Sequence, residues 1–263
     1  MVQSVIQVDA FTDRPFAGNP AAVCVMPQAA DASWMQNVAR EMNLAETAFV
    51  HPVADGYSLR WFTPTVEVEL CGHATLAAAH VLWETGRESD DLSLRFHSKS
   101  GLLTARRDEA GWIELDFPAT PPAPVDAPAN LSDTLGARVV SVSRSAFDLV
   151  VELQSDQVVR ALEPDLHRLR ALPGRGVIVT ARADSRPYDF VSRFFAPQSG
   201  VDEDPVTGSA HCALGPLWMS RLGKSEMLAY QASPRGGVVR VRMRGDRVLL
   251  GGQAVTVLRG QLV

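Results

Sequence analysis

The chain contains only three cysteines among its 263 residues, and no two of them form a Cys-x-x-Cys pair. An odd number of isolated cysteines predicts no disulfide framework and fits a reducing compartment. The longest apolar stretch in a helix-like segment, residues 76–83, includes His80 and is far shorter than the roughly 20 residues that span a bilayer. The first residues lack the basic start and apolar core of a signal peptide. We therefore expect a cytoplasmic protein without a membrane partner.

Basic charge and nucleotide-binding motifs are also scarce. Lysine and arginine number 25 against 30 aspartates and glutamates, a net charge of −5, which argues against nucleic acid as a partner. The sequence has neither a phosphate-binding Gly-x-x-x-x-Gly-Lys-Ser/Thr loop nor a dinucleotide-binding glycine motif. With 46% hydrophobic and 21% charged residues, the composition is otherwise that of an ordinary folded protein.

A short motif occurs twice in the chain. Residues 60–64 read Arg-Trp-Phe-Thr-Pro, and residues 193–197 read Arg-Phe-Phe-Ala-Pro. Each motif is followed by acidic residues and then by a glycine, Gly72 or Gly208, that opens a helix-like run of small residues. The offset is nearly constant, 193 − 60 = 133 at the arginines and 208 − 72 = 136 at the glycines. This pattern predicts a tandem duplication, with two similar domains and a cleft between them.

A proline-rich segment marks the predicted domain boundary. Residues 118–128 include five prolines, which can neither donate to a strand ladder nor continue a helix. We therefore predict domains at 1–118 and 119–263, with the last strand able to cross back to the first domain. In each half, short strands predominate and two helices are expected. The predicted fold class is α+β, with a curled sheet around a helix in each domain.

The two glycines mark predicted helix starts that can bind an anion. A helix N-terminus carries unpaired N–H groups and the positive end of the helix dipole. Glycine lets a ligand carboxylate approach that backbone closely, so Gly72 and Gly208 indicate a small substrate that bears a carboxylate. The alternative is that both glycines only allow close packing of helix against sheet.

Three polar side chains are the candidates for chemistry. Asp204 is the acid nearest the second helix start, although its acidic run would also suit a solvated loop. His73 follows the first glycine, and its ordinary pKa near 6.5 suits proton transfer, although a structural role is equally open. Glu46 lies between a predicted helix and strand, and a loose alignment of the halves places Gly176 opposite it. An acid in one half without a counterpart in the other indicates a single proton-transfer group. Considered in isolation, Glu46 would instead be interpreted as a surface or capping residue.

A cysteine also lacks its counterpart, because Thr207 aligns with Cys71. A racemase without a cofactor needs acid–base groups on both faces of a carbon. A threonine hydroxyl is too weak an acid for that role. A single carboxyl such as Glu46 could instead remove a proton and return it elsewhere on the same face, which is an isomerisation.

Motifs along nearly the whole chain resemble the PhzF-like, phenazine-biosynthesis isomerase family. They occur in the family's order, at residues 9–12, 16–23, 43–50, 70–75, 202–210 and 251–255. The resemblance implies a diaminopimelate epimerase-like fold with two β-barrel-like domains, each around a central helix. It also implies an active site between the domains that needs no cofactor and no metal. Since family members are often dimers, a homodimer is expected.

The resemblance also implies roles for individual residues. The acid that matches Glu46 moves the proton in this family, while the residues matching His73, Asp204 and Ser209 assist in binding and polarising the substrate. Further residues expected to bind substrate are Asn19, Cys71, Gly72, Thr207 and Gly208. The related epimerases carry cysteine at both the Cys71 and Thr207 positions, which places this chain on the isomerase side. Ala45 departs from the serine of the phenazine enzymes, which leaves open whether the phenazine precursor is the substrate.

The leading hypothesis is thus a cofactor-independent isomerase of a small unsaturated carboxylic acid. The first alternative is an amino-acid racemase or epimerase of the same fold. The second is a non-catalytic binding or interaction protein that has kept the fold. A metal site at Cys71-x-His73 and His211-Cys212 is a further alternative, but the spacing matches no common zinc pattern.

Overall fold

The computed structural model of the protein describes residues 3–89, 91–184 and 186–263. These residues form two units. Unit 1 runs to Asp116 and also takes Gly251–Val263, while unit 2 is Phe117–Leu250. The division between them falls beside the proline-rich segment.

Unit 1 is a mixed sheet with two helices. Its elements in chain order are β1 (Gln3–Ala10), β2 (Asn19–Val25), α1 (Ala32–Met42), β3 (Glu46–Val53), β4 (Gly56–Phe62), β5 (Glu67–Val68), α2 (Gly72–Glu84), β6 (Leu94–Ser98), β7 (Gly101–Arg107) and β8 (Ile113–Pro118), whose last two residues belong to unit 2. β2 runs parallel to β3 and β4 runs parallel to β6. The pairs β1–β2, β3–β4, β4–β5 and β6–β7 are antiparallel.

Unit 2 repeats this arrangement with more short helices. Its elements are β9 (Ala123–Pro124), α3 (Leu131–Leu135), β10 (Val139–Arg144), β11 (Leu149–Leu153), α4 (Asp156–Arg160), α5 (Leu166–Leu169), β12 (Val177–Arg182), β13 (Phe190–Ala196), a 3-10 turn (Pro197–Ser199), β14 (Val201–Asp204), α6 (Gly208–Leu222), β15 (Glu226–Gln231), β16 (Gly237–Arg244) and β17 (Arg247–Gly252). The last two residues of β17 belong to unit 1, as does β18 (Ala254–Leu262), which ends the chain and pairs antiparallel with β1.

The strand pairings of the two units correspond one to one. The parallel pairs β11–β12 and β13–β15 of unit 2 take the places of β2–β3 and β4–β6. Thr47 pairs with Phe62 of the first motif, and Val177 pairs with Phe195 of the second. The residues one position earlier, Glu46 and Gly176, therefore correspond as well. The two units therefore share one strand topology, as a tandem duplication would produce.

Each unit buries one long apolar helix. A helix that is hydrophobic on all sides must be enclosed, and ten side chains of α2, from His73 to Trp83, are buried. α2 contacts strands β1, β2, β3 and β18 of unit 1. In unit 2, α6 packs on β16 so closely that a Cβ at Gly215 would meet the Met243 sulfur at 2.9 Å. The α+β class with a central helix in each unit is confirmed.

The helix predicted over residues 163–172 is shorter in the structure, where only α5 (Leu166–Leu169) lies in that range. A separate short helix, α4 (Asp156–Arg160), precedes it and was not predicted. Pro164 disfavours helical backbone in the residue before it. Each short helix has its own N-cap, because Ser155 accepts from the Val158 amide at 3.3 Å and Asp165 accepts from the Arg168 amide at 3.0 Å.

The state of the cysteines and the length of the helices agree with what the sequence indicates. All three cysteines are free and buried, as their odd number predicts. Burial raises the pKa of the Cys24 and Cys212 thiols to about 12, so both stay protonated. Among the residues that the structure describes, no helix has the length and apolar character needed to cross a membrane.

Candidate active site

The strand starts of unit 1 place Asn19 and Glu46 at the same edge of the sheet. Asn19 is the first residue of β2 and Glu46 the first of β3, and these strands run parallel, so both begin at the same edge. The turn that leads into β2 requires glycine at residue 18. Gly18 has a positive φ of 63°, and a Cβ added there would lie 2.1 Å from the Ala10 carbonyl oxygen. Glu46 is partly buried, with 19% of its side chain exposed.

The first helix start adds Cys71, Gly72 and His73 to this edge. Cys71 is the extended N-cap residue of α2 (φ −146°, ψ 112°), and Gly72 begins the helix. The Cys71 sulfur lies 3.5 Å from His73 Nδ1. On the other side of the ring, Nε2 lies 3.2 Å from Glu46 Oε2. Unit 1 therefore brings all five of its predicted site residues together.

The surroundings of His73 determine where its proton lies. The Asn19 amide nitrogen lies 3.2 Å from Nδ1, and since that nitrogen only donates, Nδ1 must accept. The proton of a neutral imidazole is then on Nε2, the nitrogen near Glu46, although this N–H does not point straight at the carboxylate oxygen. Burial lowers the His73 pKa to about 3, so the ring is neutral at pH 7.

Three of these side chains could also hold a metal ion. One ligand atom each from Glu46, Cys71 and His73 lies within 4.8 Å of the other two. Carboxylate, thiolate and imidazole are the ligands that zinc prefers. His211 and Cys212, which the sequence also offered as ligands, are not part of this group. His211 Nδ1 instead donates to the Thr207 carbonyl at 2.8 Å, four residues earlier in the chain.

In unit 2, the second helix start holds Asp204 in place. Thr207, the extended N-cap residue of α6, donates from Oγ1 to Asp204 Oδ2 at 2.5 Å. Gln231 is fully buried and accepts from the Thr207 amide at 2.8 Å. Its own amide nitrogen donates to the Asp204 carbonyl at 2.8 Å. The sequence did not indicate Gln231, since its partners lie 24 and 27 residues away with no periodic pattern.

Ser209, directly after Gly208, has a partner that the sequence also missed. Arg175 Nη2 donates to Ser209 Oγ at 2.8 Å, and the same guanidinium makes two bonds to Asp148, at 3.0 and 2.6 Å. The pair is invisible in the sequence because Arg175 lies 27 residues from Asp148 and 34 from Ser209. The unit 2 candidates thus lie at one helix start, with Asp204 tied to Thr207 and Ser209 tied to Arg175.

Gly176 has no room for a side chain. A Cβ there would lie 2.5 Å from the Phe194 ring and 2.9 Å from the Phe195 carbonyl oxygen. Real Cβ atoms do not approach other atoms so closely. Unit 2 therefore cannot carry an acid at the position that matches Glu46.

Known proteins resemble the chain over its whole length. A family model described as phenazine biosynthesis-like protein, PhzC-PhzF, matches residues 8–260. An uncharacterized isomerase of Halalkalibacterium halodurans is 54% identical, covering 100% of this chain and 99% of the relative. The crystal structure of a PhzF-family phenazine biosynthesis protein from Enterococcus faecalis superposes with a TM-score of 0.96 at 41% identity, covering 100% of both chains. A hydroxyproline epimerase from Agrobacterium vitis, 10% identical, shares the fold with a TM-score of 0.64, over 99% of this chain and 92% of that one.

Proposed function

The chain belongs to the PhzC-PhzF family of phenazine biosynthesis-like proteins, and we propose that it is a cofactor-independent isomerase of a small unsaturated carboxylic acid. Glu46 acts as the single acid–base group, assisted by His73 and Asp204. The observation that carries this proposal is the Glu46 carboxylate 3.2 Å from the neutral, buried imidazole of His73. The matching position in unit 2, Gly176, cannot carry a second base.

The reaction needs only one carboxyl group. The Glu46 carboxylate removes a proton from a substrate carbon, and the electron pair left behind shifts along the conjugated double bonds. The protonated Glu46 then returns the proton to a carbon further along the same face. One proton leaves and one returns, so no redox partner is involved. Positioned general acid–base groups contribute about 10²- to 10⁴-fold to rates.

His73 assists as a neutral donor. Its Nε2 lies 3.2 Å from Glu46 Oε2, while the Asn19 amide at Nδ1 keeps the proton on Nε2. Because the His73 pKa is about 3, the ring does not compete with the substrate for the proton at neutral pH. His73 is therefore proposed to position and stabilise the Glu46 carboxylate.

The helix starts are proposed to bind the substrate. In unit 1 the candidates are Cys71 and the Gly72 amide, beside Asn19. In unit 2 they are the Gly208 amide, Ser209 and Thr207, with Asp204 polarising the substrate. Unpaired amides at a helix N-terminus favour anions, which agrees with a substrate that carries a carboxylate.

Solvent isotope exchange tests the proposal. The protein would be incubated in D2O with a panel of small unsaturated carboxylic acids, and products analysed by mass spectrometry and NMR. We expect deuterium at the carbon that receives the proton. Glu46→Gln should lose about 10²- to 10⁴-fold in turnover, whereas Glu41→Gln on the exposed face of α1 should keep full activity. Full turnover by Glu46→Gln would contradict the mechanism.

The runner-up function is an amino-acid racemase or epimerase, which the fold shared with the hydroxyproline epimerase favours. Against it, Thr207 stands where a second thiol would be needed, and its hydroxyl proton is donated to Asp204. Single-enantiomer amino acids distinguish the two, because only a racemase inverts them and only a two-thiol racemase is abolished by Cys71→Ser. Ligand stabilisation without any isotope exchange would instead favour the non-catalytic binding protein.

We further propose a cytoplasmic homodimer that works without a metal. Because Glu46, Cys71 and His73 lie close enough to share an ion, a chelator experiment is informative. Turnover should survive dialysis against EDTA, and loss of turnover with recovery on adding zinc would overturn the metal-free mechanism. Light scattering after size-exclusion chromatography measures the oligomeric state, for which a monomer mass would contradict the dimer.

A further inference from the structure

Arg175 lies beside the start of α6 and is held on several sides. Its Nε and Nη2 donate to the two oxygens of Asp148, at 3.0 and 2.6 Å, and the Asp148 side chain is only 1% exposed. The rings of Phe147 and Phe194 each lie 5.4 Å from the guanidinium carbon. A planar guanidinium with two parallel bonds to a buried carboxylate has little freedom to turn. Arg175 is therefore fixed before any ligand arrives.

Two donor groups, with three hydrogens in all, remain beside the start of α6. Arg175 Nη1 carries two N–H groups, for which the described residues offer no acceptor, and 41% of the side chain is exposed. Ser209 Oγ accepts from Arg175 Nη2 at 2.8 Å, so its own hydrogen points elsewhere and can be donated. The two N–H groups of Arg175 Nη1 and the hydroxyl hydrogen of Ser209 can therefore donate to the same ligand. Such a set of donors recognises an acceptor such as a carboxylate and repels an ammonium group.

Unit 1 has no equivalent of this cation. By the matched strand register, Arg175 takes the position of Ala45, and Ser209 takes that of His73. The residue after each glycine thus faces a different side chain, a carboxylate in unit 1 and a guanidinium in unit 2. The contacting acid, Glu46, and the contacting cation, Arg175, come from adjacent rather than identical positions of the matched strands.

We propose that Arg175 is a substrate-binding residue, whose Nη1 together with the Ser209 hydroxyl binds a carboxylate of the substrate. Its guanidinium is oriented by the buried Asp148. This deepens the proposed function, on which it rests, by assigning the recognition of the acid group to a residue outside the family motifs seen in the sequence.

Binding of benzoate, with benzamide as its uncharged analogue, tests the proposal without relying on turnover. Dissociation constants would be measured by NMR titration at pH 7. The wild type should bind benzoate better than benzamide. Loss of a charge-assisted hydrogen bond predicts benzoate binding weaker by about 10- to 100-fold in Arg175→Gln, with benzamide unchanged. Arg175→Lys should fall between, since it keeps the charge but not the planar fork.

The controls separate binding from folding. Arg175→Gln leaves Asp148 buried without its partner, so the double variant Arg175→Gln/Asp148→Asn removes both charges and should fold while still losing benzoate. Arg221→Gln breaks a comparable ion pair, with Glu152 at 2.9 Å, about 18 Å along α6 from Ser209, and should bind benzoate as the wild type does.

Two results would overturn the inference. One is a wild type that binds benzoate no better than benzamide, and the other is a folded double variant that keeps the wild-type benzoate affinity. Because benzoate binding does not involve Glu46 chemistry, failure of the deuterium experiment would leave this result standing, and failure here would leave the deuterium result standing.

Discussion

The two units share a structural frame and differ in the groups that can react. In both, an extended residue and then a glycine begin the central helix, Cys71-Gly72 in unit 1 and Thr207-Gly208 in unit 2. In both, the motif arginine forms a two-bond ion pair with an acid of the following strand: Arg60 with Glu67 at 2.7 and 2.9 Å, and Arg193 with Glu203 at 2.7 and 2.8 Å. The repeated motif therefore marks structure that the two units share.

The two units differ at residues directly next to the matched strand pairs and the helix-opening glycines. Glu46 begins β3, whereas its counterpart Gly176 lies against the Phe194 ring. His73 follows the first glycine and lies near Glu46, whereas Ser209 follows the second and bonds to Arg175. After duplication, a fold can keep its stabilising contacts while individual side chains diverge to different chemistry. In this protein, unit 1 holds the proposed base and unit 2 the proposed cation.

The two matching ion pairs, Arg60–Glu67 and Arg193–Glu203, should contribute differently to the free energy of unfolding. Arg193 is 10% exposed and also donates to the Leu162 carbonyl at 2.5 Å, whereas Arg60 is 30% exposed. Arg193→Met should lower the free energy of unfolding by about 3–5 kcal/mol, because it leaves Glu203 without a cation and the Leu162 carbonyl without its donor. Arg60→Met should lower it by only about 1 kcal/mol, because Arg60 is more exposed and Glu67 keeps Lys99 as a second partner at 2.6 Å. Urea unfolding followed by circular dichroism measures both, and equal losses would contradict this ranking.

Acid should weaken both units through their buried histidines. Burial lowers the pKa of His73 to about 3 and of His211 to about 4. As the pH falls below the ordinary value near 6.5, the unfolded chain binds a proton that the folded chain does not, so stability is lost. For His211 the loss is about 3 kcal/mol between pH 6.5 and 4. His211→Gln should flatten the dependence of unfolding free energy on pH, and exposed His167→Gln should not. An unchanged slope in His211→Gln would count against the effect.

Adding a methyl group at residue 176 tests whether packing excludes an acidic side chain there. Gly176→Ala should lower the free energy of unfolding by about 1–3 kcal/mol, the usual cost of overpacking, because the Cβ meets the Phe194 ring. Gly260→Ala in unit 1 is the matched control, since its Cβ would lie at ordinary distances of 3.6 and 3.7 Å. Its effect should stay within about 0.5 kcal/mol. Thermal unfolding compares them, and a neutral Gly176→Ala would show that packing does not exclude an acid.

The smallest expected effect comes from making the two helix starts alike. Thr207→Cys restores the pair of cysteines found in epimerases but weakens the bond to Asp204, since a thiol is a poor donor. We expect kcat/KM of the isomerisation to fall about fivefold, the loss of one ordinary hydrogen bond. Thr207→Ser should retain most activity. Inversion of an amino acid by Thr207→Cys would show that residue 207 alone separates the two chemistries.

The family, the α+β fold and the isomerase class were predictable from the sequence, and the comparisons confirmed them. The family and the isomerase class followed from motifs that resemble a known family, and these motifs consist of contiguous residues that can be recognised in the sequence. The grouping of Glu46 with His73 also agrees with the expectation, although their catalytic roles stay predictions. The bounds of the helix over 163–172 were wrong, because α5 begins only after Pro164, where Asp165 caps it, and ends at Leu169.

The sequence by itself determined the repeat, since the duplicated motif, the helix starts and the missing second cysteine follow from residue type and spacing. Only the tertiary structure decided which side chains meet. Arg175 reaches Asp148 and Ser209 across 27 and 34 residues, and Gly176 is kept small by a ring 18 residues further on (194 − 176). Such contacts depend on strand register and burial, which set distances between residues far apart in the chain and leave no periodic trace in it.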